Sequence, residues 1–154
     1  MLPSTTRRVT QNTSDQLNDE IVRQTRDAIW QAVNDGPDGI DRRIDDLDRE
    51  WDIERILEAH ASTAFLAGLL LGATVHRRFF VLPGVVAAFL LQHALQGWCP
   101  PVPFFRRLGV RTQTEIERER CALKLIRGDF TGAHAPTSGR DAQPVEQALR
   151  AVNL

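Results

Sequence analysis

The fold is decided by residues 61–98, which read ASTAFLAGLLLGATVHRRFFVLPGVVAAFLLQHALQGW. Arg77 and Arg78 are the only charged side chains in this stretch, and with His76 they divide it into apolar runs of 15 and 20 residues. Two apolar helices joined by so short a polar link lie antiparallel. About 20 apolar helical residues match a hydrocarbon core of roughly 30 Å, whereas 15 residues rise only about 22 Å. If the first helix begins upstream near Ile56 it reaches this length, and the pattern then predicts a two-helix antiparallel transmembrane hairpin.

The segment that follows the second run is typical of a membrane exit. Its residues are Gly97, Trp98, Pro100 and Pro101. Proline cannot continue a helix, so the second span is expected to end here and the chain to turn along the interface. Trp98 with the phenylalanines at 104 and 105 resembles one side of an aromatic belt, and Arg106 and Arg107 follow as an interfacial anchor. A soluble helical bundle with the two runs in its core remains the alternative.

Small residues are predicted to bring the two spans together. The first run carries Ala64, Gly68 and Gly72 at every fourth position, and the second carries Gly84 and Ala88 at the same spacing. Such rows let helix backbones approach closely in lipid. Because two spans bury little surface on their own, we expect the chain to form homo-oligomers through these rows.

Amphipathic charged helices are predicted on the cytoplasmic side, before and after the hairpin, which makes the protein all-α. The expected divisions are a disordered lead-in at 1–13, an amphipathic arm at 14–55, the hairpin with its exit at 56–112, a helix at 113–130 and a mostly disordered tail at 131–154. Ser14 is a candidate N-cap and NDGPDG at 34–39 a turn. Thr112 with Glu115, or Thr114 with Glu117, is expected to form a capping box.

Within the arm, apolar residues four, three and four positions apart begin a helical seam. They are Ile40, Ile44, Leu47 and Trp51. The seam is expected to dock on the first part of the arm or on a second copy of the chain. A helix lying on the membrane surface with Trp51 at headgroup level is the alternative.

Charge and cysteine usage exclude several classes of protein. The 19 basic and 20 acidic residues nearly cancel, and no basic face that would bind nucleic acid is visible. Two cysteines fit neither a disulfide framework nor a four-ligand zinc site. No metal, cofactor or enzymatic activity is therefore predicted.

Two longer segments resemble a known family. They are EWDIERILEAHASTAFLAGLLLG (50–72) and PGVVAAFLLQHALQGWCPPVPFFRRLGVRT (83–112), of which GxCP at 97–100 and LGVRT at 108–112 are the most specific parts. They resemble the YgaP-like inner-membrane transmembrane domain family of bacteria, and we expect a stand-alone member. The resemblance implies a two-span domain in the bacterial inner membrane. Some members carry a rhodanese domain, which suggests sulfur handling, but this chain has no rhodanese-sized domain and inherits no sulfurtransferase activity.

One candidate thiol site follows from the predicted antiparallel register. His60 should lie level with His93, near Cys99 at the water boundary, where the thiol would be accessible to water-soluble reagents. The site would let Cys99 carry sulfur or redox equivalents. The simpler interpretation is hydrogen bonding between the helices and a structural turn, because no metal-ligand spacing is present. We therefore expect a membrane module that associates with itself or anchors an unidentified protein partner in the lipid bilayer.

Basic residues near the ends of the spans predict the orientation of the hairpin. Five lie in the flanks and two in the loop: Arg49, Arg55, Arg106, Arg107 and Arg111 against Arg77 and Arg78. The side with more basic residues stays in the cytoplasm, and two spans place both termini on one side. Both termini are therefore expected in the cytoplasm.

Overall fold

The computed structural model describes Ser4 and residues 6–130, and within these residues helices are the only regular secondary structure. The all-α prediction is confirmed. The described residues form seven α-helices: α1 Arg8–Gln11, α2 Asp15–Asn34, α3 Pro37–Arg49, α4 Ile53–Thr74, α5 Val81–Gln96, α6 Val102–Arg107 and α7 Gln113–Arg127. A short 3-10 helix, Arg77–Phe80, joins α4 to α5. The tail predicted at 131–154 lies outside the described residues.

Helices α2, α3 and α7 form a bundle with its own apolar core. The core consists of Ala32, Ile40, Ile44, Leu47, Ile116 and Leu123, with Ile29 and Val33 packed against it. Ser14 caps α2 by accepting a hydrogen bond from the Leu17 N–H, as predicted. The predicted turn is present too: Gly36 has φ +79°, and Pro37 opens α3, where a missing N–H costs nothing.

Helices α4 and α5 pack along each other, and we call them the α4–α5 pair. Asp52 caps α4 by accepting a hydrogen bond from the Arg55 N–H at 2.7 Å. Pro83 is the third residue of α5, in its first turn, where proline is tolerated. Gly68 of α4 faces Pro83, and Gly72 faces Phe80 at the turn, so the two helices run in opposite directions.

A second apolar cluster lies where the α4–α5 pair meets the bundle. It consists of Val9, Ile53, Leu57, Cys99 and Val102, with Phe105 and Val110 packed against it. The Ile53 N–H donates to the carbonyl oxygen of Arg111 at 2.9 Å. This cluster and this hydrogen bond hold α1, the start of α4 and the α6 segment together.

Residues 6–13 of the predicted lead-in contain a helix that the sequence did not predict. Disorder was predicted over 1–13, but α1 lies within this segment and Val9 is almost completely buried. Asn12 donates a side-chain hydrogen bond to the carbonyl oxygen of Gln96 at 2.7 Å. Val9 packs against Ile53, Leu57, Cys99 and Val102 in the second apolar cluster, and this burial together with the Asn12 hydrogen bond docks the segment.

The seam through Trp51 is interrupted, which corrects the sequence prediction. Helix α3 ends at Arg49, and Glu50 is extended with ψ 130°. Trp51 lies between the helices, exposed, with the Arg55 guanidinium 4.3 Å from its ring centroid. The chain breaks here because Asp52 caps a new helix while the Glu50 side chain is held by Arg111.

Candidate functional site

From Phe65 to Leu95 the outer surface of the α4–α5 pair consists mainly of large apolar side chains. Exposed large side chains include Phe65, Leu66, Leu69, Leu70, Leu71, Val75, Val81, Leu82, Val85, Phe89, Leu91 and Leu95. Two segments, Pro37–Thr74 and Arg77–Gln96, each contain a window long and apolar enough to cross a membrane, and only 17% and 11% of these windows are buried. A core helix of a soluble protein would bury most of such side chains. This surface therefore requires an apolar environment or partner.

The predicted small residues of α4 lie in the contact with α5. A Cβ atom added at Gly68 would lie 2.6 Å from Cδ of Pro83, and one added at Gly72 would lie 2.7 Å from the Phe80 ring. Real Cβ atoms do not come so close, so only glycine fits at these two positions. Ala64, one turn before Gly68, is half-buried and borders a cavity between the helices.

The predicted small row of α5 faces away from α4, which corrects the expected packing. Gly84 and Ala88 are exposed, and a Cβ added at Gly84 would have no described atom within 4 Å. The face of α5 turned inward carries Pro83, Val86, Leu90 and His93 instead, at spacings of three and four. Contact between Gly68 and the Pro83 ring sets this rotation of α5.

The predicted exit residues form a tight crossing. Gly97 has φ +74°, and a Cβ there would lie 2.5 Å from the backbone of Arg8, so α1 crosses the end of α5 at a point where only glycine fits. Trp98 and Pro100 are exposed. Pro101 is the N-cap of α6, so the segment that was expected to turn the chain along the interface forms a short helix.

Cys99 lies inside the second apolar cluster and not at a water boundary. Only 4% of the residue is exposed, and burial raises the pKa of its thiol despite a hydrogen bond from the Val102 backbone. A reactive thiol needs a lowered pKa and access to reagents. The expected accessibility of Cys99 is therefore wrong, because α1 and α6 cover it.

The three candidate residues of the thiol site have different surroundings. His60 and Cys99 border an apolar cavity of about 400 Å³ between α4 and α5. His60 is exposed, with Nδ1 2.8 Å from the carbonyl oxygen of Ile56 and its ring 5.2 Å from that of Phe105. His93 is buried outside the described wall of this cavity, and neither of its ring nitrogens has a described hydrogen-bond partner. Over residues 6–130, no three His, Cys, Asp or Glu side chains are grouped to hold a metal ion.

A buried arginine links α6 to the bundle. The Arg106 side chain is completely buried and donates from both terminal nitrogens to the Glu115 carboxylate, at 2.7 and 2.9 Å. It also donates to Asn18 of α2 at 2.9 Å and to the Val110 carbonyl oxygen at 3.1 Å. The prediction that Arg106 anchors the protein at a lipid interface is therefore wrong, because α6 turns this side chain inward. Of the two arginines predicted as interfacial anchors, Arg106 and Arg107, only Arg107 is exposed.

A second buried arginine, Arg111, connects all three helices of the bundle. It donates to Glu50 after α3 at 2.8 Å, to Glu119 of α7 and to Thr25 of α2 at 3.2 Å. Glu119 is fully buried and also accepts from Arg43 of α3 at 2.7 Å. We call these residues, together with Arg106 and Glu115, the ion-pair network.

Two members of the ion-pair network, Glu115 and Arg111, are kept ionised inside the protein by their partners. Burial alone would raise the pKa of Glu115, but the hydrogen bonds from Arg106 and from the Thr112 backbone outweigh it, so this pKa lies below its usual value. Burial likewise opposes the charge on Arg111, yet Glu50 and Glu119 hold its pKa above the usual value. Buried charges persist only when they are paired and hydrogen-bonded in this way.

Sequence reasoning found part of this network. Thr112 and Glu115 form the predicted capping box, in which each side chain accepts the other's backbone N–H. The second role of Glu115, as the partner of Arg106, is not visible locally. The signal was the pair of arginines at 106 and 111 on either side of a glycine turn, Gly109 with φ +81°. They stand directly before a helix that carries three glutamates in its first two turns.

Comparison with protein-family models, with curated proteins and with solved structures finds no match for this chain. The resemblance to the YgaP-like family therefore stays a prediction carried by the quoted segments. Function has to be argued from the geometry.

Proposed function

We propose that this chain is a small integral membrane protein without enzymatic activity that anchors a protein partner, or a second copy of itself, at the membrane. In this proposal the α4–α5 pair spans a bacterial inner membrane as an antiparallel hairpin, and the bundle lies in the cytoplasm with both termini. The observation that carries the proposal is the low burial of the two apolar windows, 17% and 11%.

Energetics favour insertion. Six large apolar residues in the first run and ten in the second contribute roughly −3 and −5 kcal/mol at about −0.5 kcal/mol each on an insertion scale. The second value is reduced by the cost of Pro83, Gln92, His93 and Gln96, so insertion is favoured by a small margin. In water the same side chains would form a patch far larger than monomeric soluble proteins expose. A soluble helical bundle would have to cover this patch with another protein.

The ion-pair network supports an anchoring role. Arg106 and Arg111 lie in the short segment between α5 and α7, and their partners belong to the bundle. This arrangement fixes the bundle on the end of the α4–α5 pair instead of tethering it by a flexible linker. A partner bound to the bundle would therefore be held at a defined position relative to the membrane.

A thiol carrier is the less favoured function. Cys99 is covered, and its thiol pKa is raised, which is opposite to what a nucleophilic cysteine needs. Sulfur or redox transfer through Cys99 would first require α1 or α6 to move away.

Two matched substitutions distinguish the membrane protein from a soluble bundle. Leu70 in α4 and Leu125 in α7 are both 66% exposed. An arginine near the middle of a span costs about 2.5 to 3.5 kcal/mol, whereas an arginine on a water-facing helix costs little. We expect Leu70→Arg to reduce the amount of protein that stays in membranes after an alkaline carbonate wash, and Leu125→Arg to leave it unchanged. Wild-type protein in the supernatant without detergent would contradict the proposal.

A further inference from the structure

The bundle has an open groove between α2 and α7. Its floor includes Val22, Ile29 and Trp30 of α2 beside Arg118 of α7, and its volume is about 340 Å³. Trp30 is 62% exposed and Val22 is 54% exposed. Helix α3 packs on both α2 and α7 but contributes no described side chain to the wall of this groove. An exposed tryptophan in a concave apolar surface is typical of a residue that dominates a binding interface.

The apolar surface of the groove continues along α7. Leu125 and Ile126 follow Arg118 and Glu119 by seven residues, which places them on the same face of the helix. Both are more than half exposed. A groove between two helices fits the apolar stripe of one further helix. That helix would complete a four-helix bundle with α2, α3 and α7.

The free charge at the groove is positive. Arg26 and Arg118 are exposed, and neither forms an ion pair within residues 6–130. The two acidic residues of the wall, Glu115 and Glu119, are already bound by arginines of the ion-pair network. Acidic side chains on an incoming helix would therefore meet unpaired guanidinium groups.

We propose that this groove binds an amphipathic helix of a partner protein, with acidic residues flanking its apolar stripe. This inference adds to the proposed function the kind of partner that is anchored. It rests on that function only for the location of binding, at the cytoplasmic side of the membrane. A second copy docked groove to groove would bring Arg26 and Arg118 against their own equivalents, which disfavours that occupant. Residues 131–154 carry two basic and two acidic residues, so this segment has no net negative charge to complement the two arginines.

The test uses two synthetic helical peptides with the same leucine stripe, flanked by Glu in one and by Lys in the other. Each carries a fluorophore, and its binding to the full chain in detergent micelles is measured by fluorescence anisotropy. We expect the Glu peptide to bind about tenfold more tightly, since it can form two partly exposed ion pairs with Arg26 and Arg118. The double variant Arg26→Glu with Arg118→Glu should reverse this preference, a result that loss of folding cannot produce. Trp30→Ala should weaken both peptides.

Several outcomes would overturn the inference. Equal binding of the two peptides, or no reversal by the double variant in a folded protein, contradicts the charge argument. A dimer that dissociates on Trp30→Ala would make a second copy the occupant. Tighter peptide binding after Leu149→Glu would make the chain's own tail the occupant. The carbonate wash tests the membrane proposal separately, so a failure of one proposal can be distinguished from a failure of the other.

Discussion

The carboxylate of Glu119 offers the sharpest test of the ion-pair network. Its side chain is fully buried and pairs with Arg43 and Arg111. Glu119→Ala would leave both guanidinium groups without this partner, and removing one member of a buried ion pair costs about 3 to 5 kcal/mol. Arg43 is 28% exposed and can turn towards water, and Arg111 keeps Glu50. We therefore expect a loss at the lower end, about 3 kcal/mol in the free energy of unfolding.

Glu117 provides the matched control on the same helix. Its side chain is 55% exposed and pairs only with Arg120 within the described part of the chain. An exposed pair of this kind contributes about 0 to 1 kcal/mol, so Glu117→Ala should have little effect. Glu119→Gln keeps the shape of the side chain and removes the charge, which separates the electrostatic loss from the cavity left by alanine.

The measurement is denaturant unfolding of the full chain in detergent micelles, followed by far-ultraviolet circular dichroism. We expect Glu119→Gln to retain most of the loss seen for Glu119→Ala. If Glu119→Ala and Glu117→Ala differ by less than about 1 kcal/mol, the network does not stabilise the bundle and the reasoning from burial is refuted.

Three further predictions concern acid stability, helix packing and thiol access. The pKa of Glu115 lies below its usual value of 4.5, so its ionised carboxylate stabilises the fold fully above that pH. The free energy of unfolding should therefore fall as the pH drops below 4.5. Glu115→Gln should make this fall smaller when unfolding is measured at a series of decreasing pH values. Gly68→Ile should destabilise the protein by about 1 to 3 kcal/mol in thermal unfolding. Gly84→Ile should be neutral, because no described atom lies close to the added side chain. Equal effects of the two variants would contradict the packing of α5. A water-soluble maleimide should label exposed Cys121 quickly and Cys99 only after denaturation, and rapid labelling of both would show that α1 and α6 do not cover the second apolar cluster.

Helix ends and turns that depend only on neighbouring residues were predicted correctly from the sequence. Ser14 caps α2, Thr112 caps α7 and Gly128 ends α7 with φ +91°, each as the residue type predicts. Gly36 before Pro37 likewise fixes the turn between α2 and α3, because it needs no partner from elsewhere in the chain.

Features that depend on distant residues were not predictable. The acidic and basic residues of α7 look like a solvated surface, and only the packing of α2 and α3 shows that Glu119 is buried between two arginines. Gly84 has the right spacing for a helix contact, but the rotation of α5 is set by Pro83 against Gly68. Val9 gave no periodic signal, since a single apolar side chain in a polar segment has none.

The most direct test of the proposed membrane hairpin is the accessibility of its loop from outside the cell. His76, exposed between α4 and the 3-10 helix, is replaced by Cys in a full chain that carries Cys99→Ser and Cys121→Ser. A membrane-impermeant maleimide is then added to intact bacterial cells, with a chain that retains only Cys121 as the control. We expect the loop cysteine to be labelled in intact cells and Cys121 only after the cells are permeabilised. A loop cysteine that stays unlabelled until permeabilisation would contradict the two-span topology with cytoplasmic termini.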